Sequence, residues 1–334
     1  MSEKGESLPA PCNWYVACHP RDLRRGLAAI EILGHPVVVF RDAHGVHAFE
    51  DRCPHRNLPL SQGRVEKGEL ICAYHGWRFD GSGRCRQIPG RASANGNCGF
   101  SVRTYATLEH DGWIWVAPAG IPESPPPTAS LGSNFDVFYW QSDIKCALID
   151  GLENLLDATH THFVHAGLVR FDRKRRRVTA RVAVDQRCVE VRYSGEDGGN
   201  GLISRLFEGK RSASIGRFFA PSIAQLEYRD QHGERFVLQA YFTPKRDDSL
   251  RVHLTLGTRR GFWPGWLKEI VLGSFFRRVL AQDHAVLQAQ ATNIARFGKP
   301  SYHSTELDLI RPWIEKMIAG MEIQPFEKSV ELDI

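Results

Sequence analysis

The stretch CPHRNLPLSQGRVEKGELICAYHGW, Cys53 to Trp77, carries two cysteines and two histidines on two short arms. Cys53 and His55 are separated by one residue, Cys72 and His75 by two, and sixteen residues lie between the pairs. Two kinds of site use such a quartet. A structural zinc ion accepts Cys2His2, usually with its cysteines paired on one turn. A [2Fe-2S] cluster can place both cysteines on one iron and both histidines on the other. Each arm here supplies one ligand of each kind, so two loops can clasp a cluster from either side. Pro54, Gly76, Trp77 and the GSGRC turn after them let backbone approach the cluster and screen it from water. Spacing and context therefore favour the cluster over zinc.

The rest of the N-terminal third reads as β-structure. Short apolar runs such as HPVVVF, VHAFE, ELICAYH and GWIWVA are cut by Gly, Pro and Asp. The run PAGIPESPPPTASLGS, Pro118 to Ser133, has nothing to pack and reads as a linker. This divides the chain into residues 1–117, a linker at 118–133, and 134–334. The second part shows a helix from Asp150 towards His165. Strand alternations follow near Arg177, Cys188, Ile223, Arg235 and Leu250, then helices over Leu267–Arg296 and about Glu306–Ala319. Strands followed by helices predict an α+β domain with a mostly antiparallel sheet.

Composition narrows the function. With 334 residues, 42% hydrophobic, 24% charged and a net charge of +5, the chain has the balance of a soluble protein without a nucleic-acid footprint. The RKRRR run at Arg173 to Arg177 reads as a solvated loop. No apolar run is long enough to span a membrane, and no h-region opens the chain, so a cytoplasmic location is expected. Eight cysteines then read as reduced thiols and ligands; a Cys85–Cys98 bridge is disfavoured in a reducing compartment. GEDGGNG, Gly195 to Gly201, does not lead from a strand into a helix, so it reads as a hairpin loop and not a dinucleotide site.

A second constellation lies in DGLENLLDATHTHFVH, residues 150–165. Read as a helix, it packs Leu152, Leu155, Leu156 and Ala158 and puts Asn154, Asp157 and His160 on one stripe. His160 and His165 are five apart, about 140° around a helix, so both reach one ion only if the helix breaks or ends between them. His162 with His165 is a rival pair, and spacing does not choose between them. Two histidines and a carboxylate make the facial triad that holds Fe(II) with positions open for O2. In FFRRVLAQDHAVLQAQ, residues 275–290, Asp283 sits among Phe276, Val279, Leu280, Val286 and Leu287 on an apolar helix face. A carboxylate there needs a metal or a cation, Arg277 or Arg278 being the alternative partners. His284 points away and is expected to be exposed.

CPHR, CAYHGWRFD and QIPG resemble the Rieske domain of ring-hydroxylating oxygenases, and NLLDATHTHFVH with QDHAVLQAQ resembles the catalytic half of the same family. The single short chain is most similar to the group containing vanillate O-demethylase oxygenase, dicamba monooxygenase and ketosteroid 9α-hydroxylase. The resemblance implies an all-β Rieske domain followed by a helix-grip catalytic domain. It implies Cys53, Cys72, His55 and His75 as [2Fe-2S] ligands, and His160, His165 and Asp283 as ligands of a mononuclear Fe(II), with His162 a spacer. Asn154 falls beside the iron. Asp157 falls on the carboxylate that bridges to a cluster histidine, His75, of a neighbouring subunit in a homotrimer. The implied reaction is O2-dependent hydroxylation or O- or N-demethylation of a small aromatic or polycyclic apolar molecule. Electrons would come from NAD(P)H through a separate reductase or ferredoxin, docking near Arg56, Lys67, Arg78, Arg84 and Arg86. Phe135, Phe138, Trp140, Leu202, Phe207, Phe219, Tyr228 and Phe242 are candidate cavity residues, and Arg205 a candidate anion contact. The competing readings are a Rieske electron-transfer protein with a partner-binding second domain, and a zinc-stabilised ligand-binding module.

Overall fold

The computed structural model describes residues 12–91, 98–129, 131–169, 177–195, 212–261 and 263–333. Arg173 to Arg176, residues 196–201 of the glycine-rich loop, Leu202, Arg205 and Phe207 lie outside the described residues. The chain divides between Pro126 and Pro127 into two compact units, the first taking in Thr243–Arg246 as well.

The first unit is all β. Its strands are β1 (Tyr15–Cys18), β2 (Leu27–Ile32), β3 (His35–Asp42), β4 (Gly45–Glu50), β5 (Arg64–Glu66), β6 (Glu69–Ile71), β7 (Arg78–Phe79), β8 (Cys85–Gln87), β9 (Thr104–His110) and β10 (Trp113–Ala117). They form a six-stranded sheet in the order β1-β10-β9-β4-β3-β2 and a four-stranded sheet β5-β6-β7-β8. The VVVF run of β3 shows why both sheets are needed. Successive side chains of a strand point to opposite faces. Val37 and Val39 enter one core with Ile32, Ile114 and Val116, while Val38 and Phe40 enter a second with Phe49, Leu60, Leu70 and Phe79. Cys53 and Cys72 belong to that second core.

The second unit is an eight-stranded sheet with helices on one face. Its elements are β11 (Phe135–Ile144), α1 (Leu148–Leu156), α2 (Thr161–Val164), β12 (Arg177–Val184), β13 (Cys188–Ser194), β14 (Ala213–Phe219), β15 (Ile223–Asp230), β16 (Gly233–Arg246), β17 (Ser249–Arg259), α3 (Gly265–Phe297), α4 (Arg311–Ile318) and β18 (Phe326–Asp333). The sheet order is β11-β17-β16-β15-β14-β13-β12-β18, a meander flanked by the first and last strands. Alternation sets its faces. Val178, Ala180, Val182 and Val184 of β12 and Val189, Val191 and Tyr193 of β13 join the core with Leu152 and Leu156 of α1, Leu272 and Leu287 of α3 and Ile314 of α4.

The expected α+β architecture is the one observed. Several details differ from expectation. The helix expected to run from Asp150 towards His165 stops at Leu156, and Asp157 is extended (φ −74°, ψ 122°), so Asn154, Asp157 and His160 do not share a helical stripe. The last helix begins at Arg311, because Asp308 accepts from the Thr305 backbone N–H at 2.6 Å and closes a turn just before it. Strands β11, β14 and β18 were not anticipated. No described helix is long and apolar enough to cross a membrane.

Candidate metal centres

The first centre stands on two loops closed in the same way. The Cys53 N–H donates to the Leu58 carbonyl and the Cys53 carbonyl accepts from Asn57 N–H, both at 2.9 Å. The Cys72 N–H donates to the Trp77 carbonyl at 2.9 Å, and its carbonyl accepts from Gly76 N–H at 3.0 Å. In each loop the fourth residue after the cysteine is left-handed, Asn57 at φ 61° and Gly76 at φ 70°. Asn and Gly are the residues that reach this region at least strain.

These loops sort the ligands by type. The Cys53 and Cys72 thiols touch each other, and the His55 and His75 rings meet with centroids 4.4 Å apart. Both cysteines are reduced and almost fully buried, at 1% and 2% exposure. Burial pushes the Cys53 thiol up to about 11, against the pull of N–H groups of His55 and Arg56 that donate to its sulfur. His55 Nδ1 is buried without a hydrogen-bond partner, and its ring stacks on Trp77 at 4.8 Å and 7°. His75 is exposed, with the Tyr74 ring 3.9 Å from it. Buried thiols and an orphaned ring nitrogen fit metal ligation. Thiol paired with thiol and imidazole with imidazole suits a cluster with different ligands on its two irons. Four ligands on one tetrahedral ion would instead all lie within about 4 Å of one another.

The second centre is made by the break after α1. Asp157 closes the turn: its carboxylate accepts from Thr159 N–H at 2.7 Å, Thr159 Oγ1 at 3.0 Å and His160 N–H at 3.0 Å. Burial would raise the Asp157 carboxyl, but His160 and the Thr159 bonds hold it below the usual range. His160 then precedes α2 and His165 follows it, which brings their Nε2 atoms to 3.3 Å. From α3, Asp283 Oδ1 lies 3.1 Å from His165 Nε2 and 3.7 Å from His160 Nε2, and Asn154 Nδ2 donates to it at 3.4 Å. Among the described residues this is the one set of three metal-ligating groups with donor atoms all within 4.8 Å. His162 is not part of it. Burial disfavours a charged His165 ring, yet Asp283 outweighs burial and raises its pKa. Two nitrogens and a carboxylate oxygen, with side-chain exposures of 17%, 3% and 14%, fit Fe(II) or a similar divalent ion.

Other expected residues are placed as follows. Arg277 donates to Ser274 Oγ, and Asp283 is paired by the two histidines and Asn154. Val286 is 44% exposed and Val279 half-buried, so of the apolar face around Asp283 it is Phe276, Leu280 and Leu287 that pack into the core. His284 is half-buried, not exposed, with Nε2 at 3.3 Å from Ser142 Oγ. Phe135, Phe138 and Phe242 are buried, and Trp140 and Tyr228 pack against the core. Arg56, Lys67 and Arg84 are exposed, whereas Arg78 faces Glu66 and Glu69 and Arg86 faces Asp80. Trp77, expected to screen the cluster, stacks on His55; the residue that escapes the sequence reading is Gln282, whose Oε1 lies 2.9 Å from His165 Nδ1.

Comparison with known proteins bears on both centres. Residues 13–106 match the model of the Rieske [2Fe-2S] domain, and residues 145–319, more than half the chain, match that of the vanillate O-demethylase oxygenase C-terminal domain. The chain is 38% identical over 166 residues to 4beta-methylsterol monooxygenase of Methylococcus capsulatus, covering 45% of this chain and 43% of the relative. It is 35% identical over 175 residues to the dicamba O-demethylase oxygenase component of Stenotrophomonas maltophilia, covering 49% and 51%. The matches thus span about half the length of these curated relatives. The crystal structure of dicamba monooxygenase bound to dicamba superposes with a TM-score of 0.76 at 22% identity, over 94% of this chain and 98% of that one.

Proposed function

Since the chain belongs to the vanillate O-demethylase oxygenase C-terminal domain family and carries a Rieske [2Fe-2S] domain ahead of it, we propose that it is the oxygenase component of a multicomponent Rieske monooxygenase. Cys53 and Cys72 would hold one iron of the cluster and His55 and His75 the other; His160, His165 and Asp283 would hold Fe(II). When bound, the cluster supplies single electrons and the mononuclear iron supplies O2 activation. The observation that carries this reading is the gathering of His160 and His165, from the two ends of α2, with Asp283 of α3.

The chain's own residues have distinct tasks. Asp157 orients His160 and, in a homotrimer, faces His75 of a neighbouring copy. The exposure of His75 and the 30% exposure of the Asp157 side chain support that role. Asn154 holds the Asp283 carboxylate. A ferredoxin or reductase delivers electrons from NAD(P)H at the cluster end, where Arg56, Lys67 and Arg84 are exposed. Substrate, O2, two electrons and two protons give hydroxylated product and water; when the carbon attacked is an O- or N-methyl, the product collapses to formaldehyde and the demethylated compound. The substrate class is a small aromatic or polycyclic apolar molecule.

The test is oxygen uptake with a reductase and NADH, screened over methoxyarenes, sterols and alkylamines, with formaldehyde assayed and iron counted. Substrate-dependent uptake with about three irons per chain is expected. About two irons and no uptake would make the chain an electron carrier instead.

A further inference from the structure

Consecutive residues of α3 grip one imidazole from both sides. Asp283 Oδ1 lies 3.1 Å from His165 Nε2, and Gln282 Oε1 lies 2.9 Å from His165 Nδ1. Neighbours on a helix diverge by about 100°, so both reach one ring only if that ring is wedged against the helix. His165 is wedged in this way, at 3% exposure, so water cannot replace a lost partner. His160 is backed differently: its Nδ1 lies 3.5 Å from the Asp157 carboxylate. One candidate ligand therefore has an anion behind it and the other a neutral amide.

We propose that Gln282 is the positioning residue of the mononuclear site, accepting the Nδ1 proton of His165 so that Nε2 presents its lone pair to the metal. This rests on the reading of His160, His165 and Asp283 as an iron site. A ligating imidazole must carry its proton on the far nitrogen, and a fixed acceptor there selects both tautomer and ring angle. The amide does so without adding charge. With Asp283 and Asp157 already present, a divalent ion leaves the pocket near neutrality.

Two variants of the full chain test it, with the Rieske cluster retained. Gln282→Met keeps the length and removes the acceptor; Gln282→Glu keeps an acceptor. Fe(II) is titrated anaerobically into protein stripped of mononuclear iron, and the nitric oxide adduct is examined by electron paramagnetic resonance. Gln282→Met should raise the Kd for Fe(II) about 10–100-fold and alter the nitrosyl spectrum, whereas Gln282→Glu should bind as wild type or tighter. Wild-type affinity and an unchanged nitrosyl spectrum in Gln282→Met would overturn the proposal while leaving the iron site standing. Equal loss in both variants with a lowered Tm would overturn it too, by making Gln282 a packing residue. A wild-type chain that takes up no Fe(II) at this site would overturn the iron reading along with it.

Discussion

His160 and His165 stand five positions apart, an awkward distance on a helix, and Asp157 resolves it. Its carboxylate stops the chain from continuing α1 by satisfying the backbone of Thr159 and His160, so the two rings swing to the same side. The need for a break was legible in the spacing, but its place was not. By spacing alone Asp157 is a helical residue, because N-x2-D-x2-H is also a helical period. Capping chemistry won over periodicity. Asn caps nearly as well as Asp, which makes Asp157→Asn an informative variant. The turn should persist and both metals should remain bound, because no ligand is removed. Losing the charge behind His160 should slow turnover about 10–100-fold, the usual effect of an outer-sphere partner. Full activity with both metals in place would leave Asp157 with no task beyond closing the turn. Gln282 opens the QDHAVLQAQ segment, but a glutamine beside an aspartate on a helix gives no sign of a task of its own.

Loops and strands were legible where local chemistry specifies them. The Cys53–Trp77 stretch gave both cluster loops, because glycine, proline and ligand spacing act within a few residues. Strands β14 and β18 went unseen for the opposite reason. ASIGRFF of β14 gains its pairing from β13 and β15, and FEKSVELD of β18 pairs with β12, which lies far back in the chain. Only Val330 and Leu332 of its eight residues turn inward, too short an alternation to mark a strand. Two variants probe how elements hold the centres. A Cβ on Gly63 would sit 2.0 Å from the carbonyl oxygen of Ile71, the residue before Cys72. Gly63→Ala should push β6 away, destabilise the first unit by about 2 kcal/mol or more, and lower the cluster content read from visible absorbance. In the second unit Arg311 of α4, 4% exposed, clasps α1 through Asp150 at 2.9 Å and through Glu153, and lies over the Tyr302 ring. Burial pushes the Glu153 carboxyl above its ordinary range even with that partner. Arg311→Met would leave two carboxylates facing each other in the interior, at a cost of about 3–5 kcal/mol. Its Tm should fall sharply, and Asn154 on α1 should lose its hold on Asp283. An unchanged Tm would mean that α1 is fixed by its apolar face alone.

Across the whole molecule, the two centres differ in the donors they offer, buried thiols in the first and only nitrogen and oxygen in the second, and that difference predicts how they come apart. In the first unit the Cys53 and Cys72 sulfurs lie inside a core with Phe40, Phe49 and Phe79, and two backbone-closed loops hold them there. In the second, His160 and Asp283 keep 17% and 14% of their side chains open to solvent. Their oxygen and nitrogen atoms release a divalent ion far more readily than buried thiolates release iron. An anaerobic chelator under mild conditions should therefore remove about one iron per chain and abolish turnover, while the cluster absorbance stays intact. Adding Fe(II) back should restore activity, and Zn(II) should occupy the same atoms without restoring it, since zinc has no redox chemistry. Asp283→Ala should reproduce the chelated state permanently: colour retained, about one iron fewer, no substrate-dependent oxygen uptake. Were the chelator to bleach the cluster before the activity fell, the order of release argued from buried thiols against nitrogen and oxygen donors would be inverted. Were turnover to survive the loss of that iron, the reaction would have to be placed elsewhere than at His160, His165 and Asp283.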